Sequence, residues 1–198
     1  MSDETRPSRV GRPASSPSER RGRDRRIAVV ALGLFEDKGV SATTVAQIAG
    51  AAGISVRSFW RYFASKEDAI GPLLDEGLAD AVERLGRVAS GQSFANAWAD
   101  PSPDESADAD AVVRLLRLAR REPTVNAVWL RMHHDATRSL AKVIARHEGA
   151  SEESLEVRVR AAVLNAALFV AIEHYATQAA PSRSISDVVA EAVHIALD

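Results

Sequence analysis

Residues 43–70 read TTVAQIAGAAGISVRSFWRYFASKEDAI, and this stretch decides the fold. Thr44 and Gln47 form T-x-x-Q, a capping box, ahead of an apolar face of Val45, Ile48 and Ala49. Gly53 breaks that short helix, and Ser55 is placed to cap the next one. Two short helices joined by about four residues that include a glycine make the helix-turn-helix pattern. On the second of them, Phe59 and Phe63 stand four apart and share a face that can dock on Val45, Ile48 and a preceding helix. Arg57 and Arg61, also four apart, share a different, outward face flanked by Trp60 and Tyr62.

That division suits a helix that enters a DNA groove. Apolar residues dock it while its N-terminal polar side chains reach base edges, and arginine reads guanine through O6 and N7. The Tyr hydroxyl, the Trp indole and the hydroxyls of Thr43, Ser55 and Ser58 can all reach phosphate oxygens. The bland alternative is a surface helix whose arginines and aromatics merely cover the core. The preceding TTVAQIAGAAGIS weighs against it.

Upstream, Ile27, Val30, Ala31, Leu34 and Phe35 recur at helical spacing, and Gly39 ends that helix with Lys38 in its last turn. Residues 1–23 are rich in Arg, Ser, Pro and Gly and read as a disordered basic arm. Within it, Gly11-Arg12-Pro13 resembles the minor-groove core of AT-hook peptides; a tail with non-specific charge is the other reading. Residues 24–66 then form the helix-turn-helix domain, and 67–198 a larger helical domain. In that larger domain Ser65 caps a fourth helix that passes Pro72, residues 99–110 form an acidic loop, and helices cover about 110–121, 123–147, 152–178 and 185–196. Almost nothing reads as strand, so the expected class is all-α.

Charge agrees with this division. Residues 1–66 carry 12 Lys+Arg and 6 Asp+Glu, whereas the rest carries 13 and 21. A basic head on an acidic body suits a polyanionic partner. With no Cys there is no disulfide and no thiolate metal site or nucleophile, which fits a cytoplasmic protein. No secretory signal and no membrane-length apolar run is present. MHHDA (132–136) lacks the i, i+4 spacing of a helical metal pair, and no phosphate loop or nucleophile motif occurs. Neither an enzyme, a metal site nor a cofactor is expected.

The 43–70 stretch resembles the DNA-binding segment of the TetR family of transcriptional regulators: the Thr-Thr start, Ile-Ala, Ala-Gly-Ile-Ser at the turn, an aromatic helix ending Tyr-Phe, then Ser-Lys-Glu-Asp. The likeness covers about 27–71. It implies an N-terminal three-helix DNA-binding domain and a C-terminal helical bundle that binds ligand and dimerises. By that resemblance Thr43 and Thr44 lie at the phosphate backbone or cap the second helix. Ser55, Val56, Arg57 and Ser58 face the major groove. Trp60 replaces a backbone-contacting Tyr, Tyr62 reaches phosphate beside Arg61, and Lys66 adds a charge contact. Arg57-Ser58 departs from the frequent Gly-Thr, so base preference cannot be borrowed from relatives. The segment EPTVNAVWLRMHHDATRSLAKVI (122–144) is similar to the C-terminal domains of the mycofactocin-associated subgroup, which implies acyl-CoA-type effectors.

For a pocket the bulky residues are Phe94, Trp98, Trp129, Met132, His133 and Phe169, with plain core packing as the alternative. In the family the last two helices form a four-helix dimer interface, which would use Ala162, Ala166, Val170, Val189 and Val193; an intrachain core accounts for them equally well. The expected protein is a ligand-responsive regulator, most simply a repressor, that binds a palindromic operator in double-stranded DNA as a homodimer and is released by a small apolar or acyl-type effector. The alternative is a non-specific or architectural DNA-binding protein without an effector.

Overall fold

The computed structural model describes residues 16–98, 105–178 and 182–197. Arg12 and the rest of the Gly-Arg-Pro segment lie outside them. Among the described residues the secondary structure is helical throughout: α1 (Pro17–Lys38), α2 (Val45–Ala51), α3 (Val56–Tyr62), α4 (Gly71–Arg87), α5 (Glu105–Ala119), α6 (Pro123–Glu148), α7 (Leu155–Thr177) and α8 (Ile185–Leu197), with short 3-10 turns at Glu67–Ile70 and Phe94–Trp98.

The first helix begins earlier than composition suggested. Ser16 Oγ accepts from the Glu19 amide at 3.1 Å, and a Glu19 carboxylate oxygen accepts from the Ser16 amide at 2.7 Å. This reciprocal cap, with Pro17 in the first turn, makes residues 17–23 helical rather than part of a disordered arm. Likewise α5 starts at Glu105, inside the stretch expected to be a loop.

Helix α1 buries Ile27, Ala28, Ala31, Leu32 and Phe35. Against them pack Ile48 and Ala49 of α2 and Phe59 of α3, with Phe63 just beyond it. The α2–α3 turn passes through Gly53 at φ +68, where a side chain would be strained. The same core continues past residue 66 into Ile70, Leu73, Leu115, Val125 and Trp129, so packing does not break at the boundary between head and bundle. A second core, centred on Leu140, Ile144, Val157, Leu164 and Val193, fills the far end of the bundle. There α6, α7 and α8 pack side by side, with α7 capped by Ser154 and α8 by Ser184.

Ion pairs cross from the head to the bundle at two places among the described residues. Arg25 of α1 meets Glu76 of α4 at 2.9 Å, and Arg114 of α5 pairs with Glu36 of α1. Just past the boundary, Arg131 of α6 pairs with Asp68 of the first 3-10 turn.

Candidate nucleic-acid interface and bundle cavity

Helix α3 is anchored by Phe59, which is fully buried, with Trp60 and Phe63 packed on its ring. Ser55 caps it: its Oγ accepts from the Ser58 amide at 3.1 Å and donates to Ser58 Oγ at 3.0 Å. With the helix held from behind, Val56, Arg57 and Arg61 are exposed and Trp60 is 52% exposed. Tyr62 is half-buried between two guanidinium groups. Arg61 donates to its hydroxyl at 2.6 Å, and Arg23 from α1 lies 3.9 Å from its ring centre. The basic start of α1 therefore joins the basic face of α3.

Two expected contacts fall elsewhere. Thr43 is only 1% exposed. Its hydroxyl donates to the carbonyls of Leu34 at 3.1 Å and Gly39 at 2.9 Å, which closes the α1–α2 connection, so it does not reach phosphate. Lys66 points inward too: Nζ donates to Val40 O at 2.6 Å and Thr43 O at 3.0 Å. Thr44 is the cap of α2, exposed and bonded to Gln47.

Inside the bundle is a cavity of about 360 Å³, walled by α4, α6, α7 and α8. Trp98, Trp129, Met132 and His133 line it. Phe94 does not: it stacks on His147, with ring centres 4.5 Å apart. Phe169 stands behind the wall, 5.6 Å from the Trp129 ring and 4.8 Å from His133. Leu73, Leu78, Asn165 and Ser186 were missed as lining residues. The stripe Leu74, Leu78, Ala81 on α4 was the available signal, since it continues beyond what the head needs. His133 bonds Asn165 Oδ1 through Nδ1 at 3.0 Å. Burial pushes its pKa down, partly opposed by that bond, so the ring is neutral at neutral pH.

Of the residues expected at a dimer face, Ala162, Ala166 and Val170 are exposed on α7. They continue a stripe with Leu155, Val159 and Val163. Val189 and Val193 turn the other way, into the chain's own core, because their face of α8 packs on α7 and the second 3-10 turn. The outward aliphatic residue of α8 is Ile195. Among the described residues no helix is long and apolar enough to cross a membrane, and no group of three metal-ligating side chains occurs.

A capped helix-turn-helix with an exposed arginine face, joined to a helical bundle, defines the class of helical DNA-binding regulators. Comparison with known proteins agrees. Residues 27–69 match the family model described as bacterial regulatory proteins, tetR family, and residues 94–196 match that of the MftR C-terminal domain. The chain belongs to the TetR family of transcriptional regulators. It is 34% identical over 151 residues to the HTH-type transcriptional regulator TcmR of Streptomyces glaucescens, a match that covers 66% of this chain and 62% of that protein. Among solved structures, Thermus thermophilus FadR, a repressor determined with lauroyl-CoA, superposes with a TM-score of 0.53 at 21% identity, covering 88% of this chain and 93% of that one. A transcriptional regulator from Streptomyces coelicolor superposes at 0.55 with 22% identity, covering 89% and 99%. At these identities the superpositions show the fold alone.

Proposed function

We propose that the protein binds a palindromic operator as a homodimer and represses transcription until a small, largely apolar effector, acyl chains included, enters the bundle cavity. The observation that carries this reading is α3: buried Phe59 fixes the helix, while Arg57 makes no hydrogen bond or ion pair among the described residues and faces solvent beside Trp60 and Arg61. One such helix reads few base pairs, and a two-fold pair matches half-sites about 34–36 Å apart. The exposed aliphatic stripe of α7 supplies a face for that pairing.

Effector response follows from what the cavity wall also holds. Glu76 lines the cavity and pairs with Arg25 of α1. Met132 lines it and packs its sulfur against Gly71, at the start of α4. A ligand that displaces either one alters how the head sits on the bundle, and so the distance between two recognition helices. It shifts that equilibrium only by its differential affinity for the two arrangements.

The test is selection from a random duplex library at near-physiological salt, followed by sequencing of the retained DNA. An enriched palindrome supports the dimeric reader and supplies a probe for effector release. Retention without any motif refutes it in favour of non-specific binding.

A further inference from the structure

The cavity wall carries one imidazole nitrogen that internal packing leaves unpaired, and its tautomer selects a chemistry. Asn165 Nδ2 donates to the His133 carbonyl at 2.6 Å and to Thr137 Oγ1 at 3.0 Å. A carbonyl oxygen can only accept, so the amide nitrogen must face it, and Asn165 Oδ1 must face the imidazole. Nδ1 of His133, 3.0 Å from that oxygen, therefore carries the proton. Nε2 is left as a bare acceptor on a ring that lines the cavity, with no partner among the described residues. Trp129 Nε1 and Ser186 Oγ also lack a hydrogen-bond partner, but both atoms are sealed from accessible space and so are not open to a ligand in the cavity.

Charge narrows the choice further. The wall includes the carboxylates of Glu76 and Asp80 and contains no Lys or Arg. An anion held there would leave water with no Lys or Arg of the wall to meet it. A cation would find the two carboxylates already paired with Arg25 and Arg84. The aromatic faces of Trp98, Trp129 and His133 favour a ring-bearing body.

Resting on the reading of this cavity as the effector site, we infer that the part of the effector held inside is an uncharged, ring-bearing hydroxyl compound. Its hydroxyl donates to His133 Nε2, and its ring lies among the aromatic side chains of the wall.

The test uses a matched set of probes, 2-naphthol, 2-naphthoate and naphthalene, titrated into the full chain at neutral pH by calorimetry. 2-Naphthol should bind at least about tenfold more tightly than either of the others. The His133 ring nitrogen resonances should shift with naphthol and stay put with naphthalene. His133→Phe should abolish the advantage of naphthol over naphthalene. His133→Gln, which keeps a polar acceptor at that position, should retain part of that advantage even if the His133→Phe variant does not fold. Naphthoate binding as tightly as naphthol, naphthol binding no better than naphthalene, or no binding by any of the three overturns the inference. Its failure is separable from failure of the regulator reading. An enriched palindrome released by lauroyl-CoA but indifferent to naphthol would sink only the hydroxyl-compound inference. Naphthol binding without any enriched palindrome would sink only the operator.

Discussion

Replacing Lys66 by Met separates two roles for one residue. The side chain is 23% exposed, and its ammonium donates to two carbonyls at the end of the α1–α2 connection, Val40 O and Thr43 O. Hydrogen bonds to a charged group contribute about 1.5–3 kcal/mol each. Both carbonyls can recover part of this from water once the ammonium is gone, so the net loss is about 2–3 kcal/mol. Glu67 adds little, because at 4.0 Å from Nζ it stands beyond hydrogen-bond distance. For a chain of this size that loss lowers Tm by about 4–12 °C. Methionine keeps the apolar stem, so the loss belongs to the charge. The assay pairs denaturant unfolding with operator binding across a salt series. A residue that neutralises a phosphate contributes about 0.9 to the slope of log K against log salt. For K66M the unfolding midpoint should fall while the slope stays that of the parent. A slope reduced by about 1.8 for the dimer, about 0.9 from each protomer, with unchanged stability would show that Lys66 is a phosphate contact after all.

Arg57→Ala should cost about 1–3 kcal/mol on the best operator and relax base preference at one position per half-site, measured by repeating the library selection. Val170→Asp, at a site 58% exposed, should leave circular dichroism unchanged and convert a dimer to a monomer in sedimentation. The same change at Val193, which is 0% exposed, should instead cost more than about 4 kcal/mol and unfold the chain. His133 is held below its ordinary pKa of 6.5 by burial, so between the two values the unfolded chain binds more protons. Its contribution to stability is present above pH 6.5 and is lost as pH falls below it. Melting temperature should drop on acidification through that window, and less steeply in His133→Gln.

The head was legible because its signals are local. A capping box, a turn glycine and a pair of phenylalanines four apart each constrain a few neighbouring residues, and together they leave one arrangement. The same rule was present at Ser16-Pro17-Ser18-Glu19 and was outweighed by composition. Arginines and serines describe a tail on average, but two reciprocal hydrogen bonds are enough to start a helix that α1 then continues. Thr43 and Lys66 were misplaced for a different reason. Their residue types suit phosphate, and only the path of the α1–α2 connection turns them inward to its carbonyls.

The bundle was less legible because helical periodicity says which residues share a face, and not which neighbour that face meets. Helix α7 is apolar nearly all round: Leu164, Leu168 and Ala171 go to the core while Val159, Val163 and Val170 face out. Sequence spacing names both stripes and ranks neither. On α8 the stripe of Val189 and Val193 was the stronger pattern, and it is the one that the chain buries itself. The cavity illustrates the same limit. Bulky residues on α6 were found because large aromatics are rare here, whereas Ser186 and Asn165 look like ordinary polar positions in helices. Their significance lies in hydrogen bonds: Asn165 spends its donors and its acceptor on one turn of α6 and thereby orients His133, and Ser186 is buried with none. A polar residue that helical spacing places toward a core is thus worth more than an aromatic one when a ligand site is sought, because an unpaired polar group in the interior has to be explained and an aromatic does not.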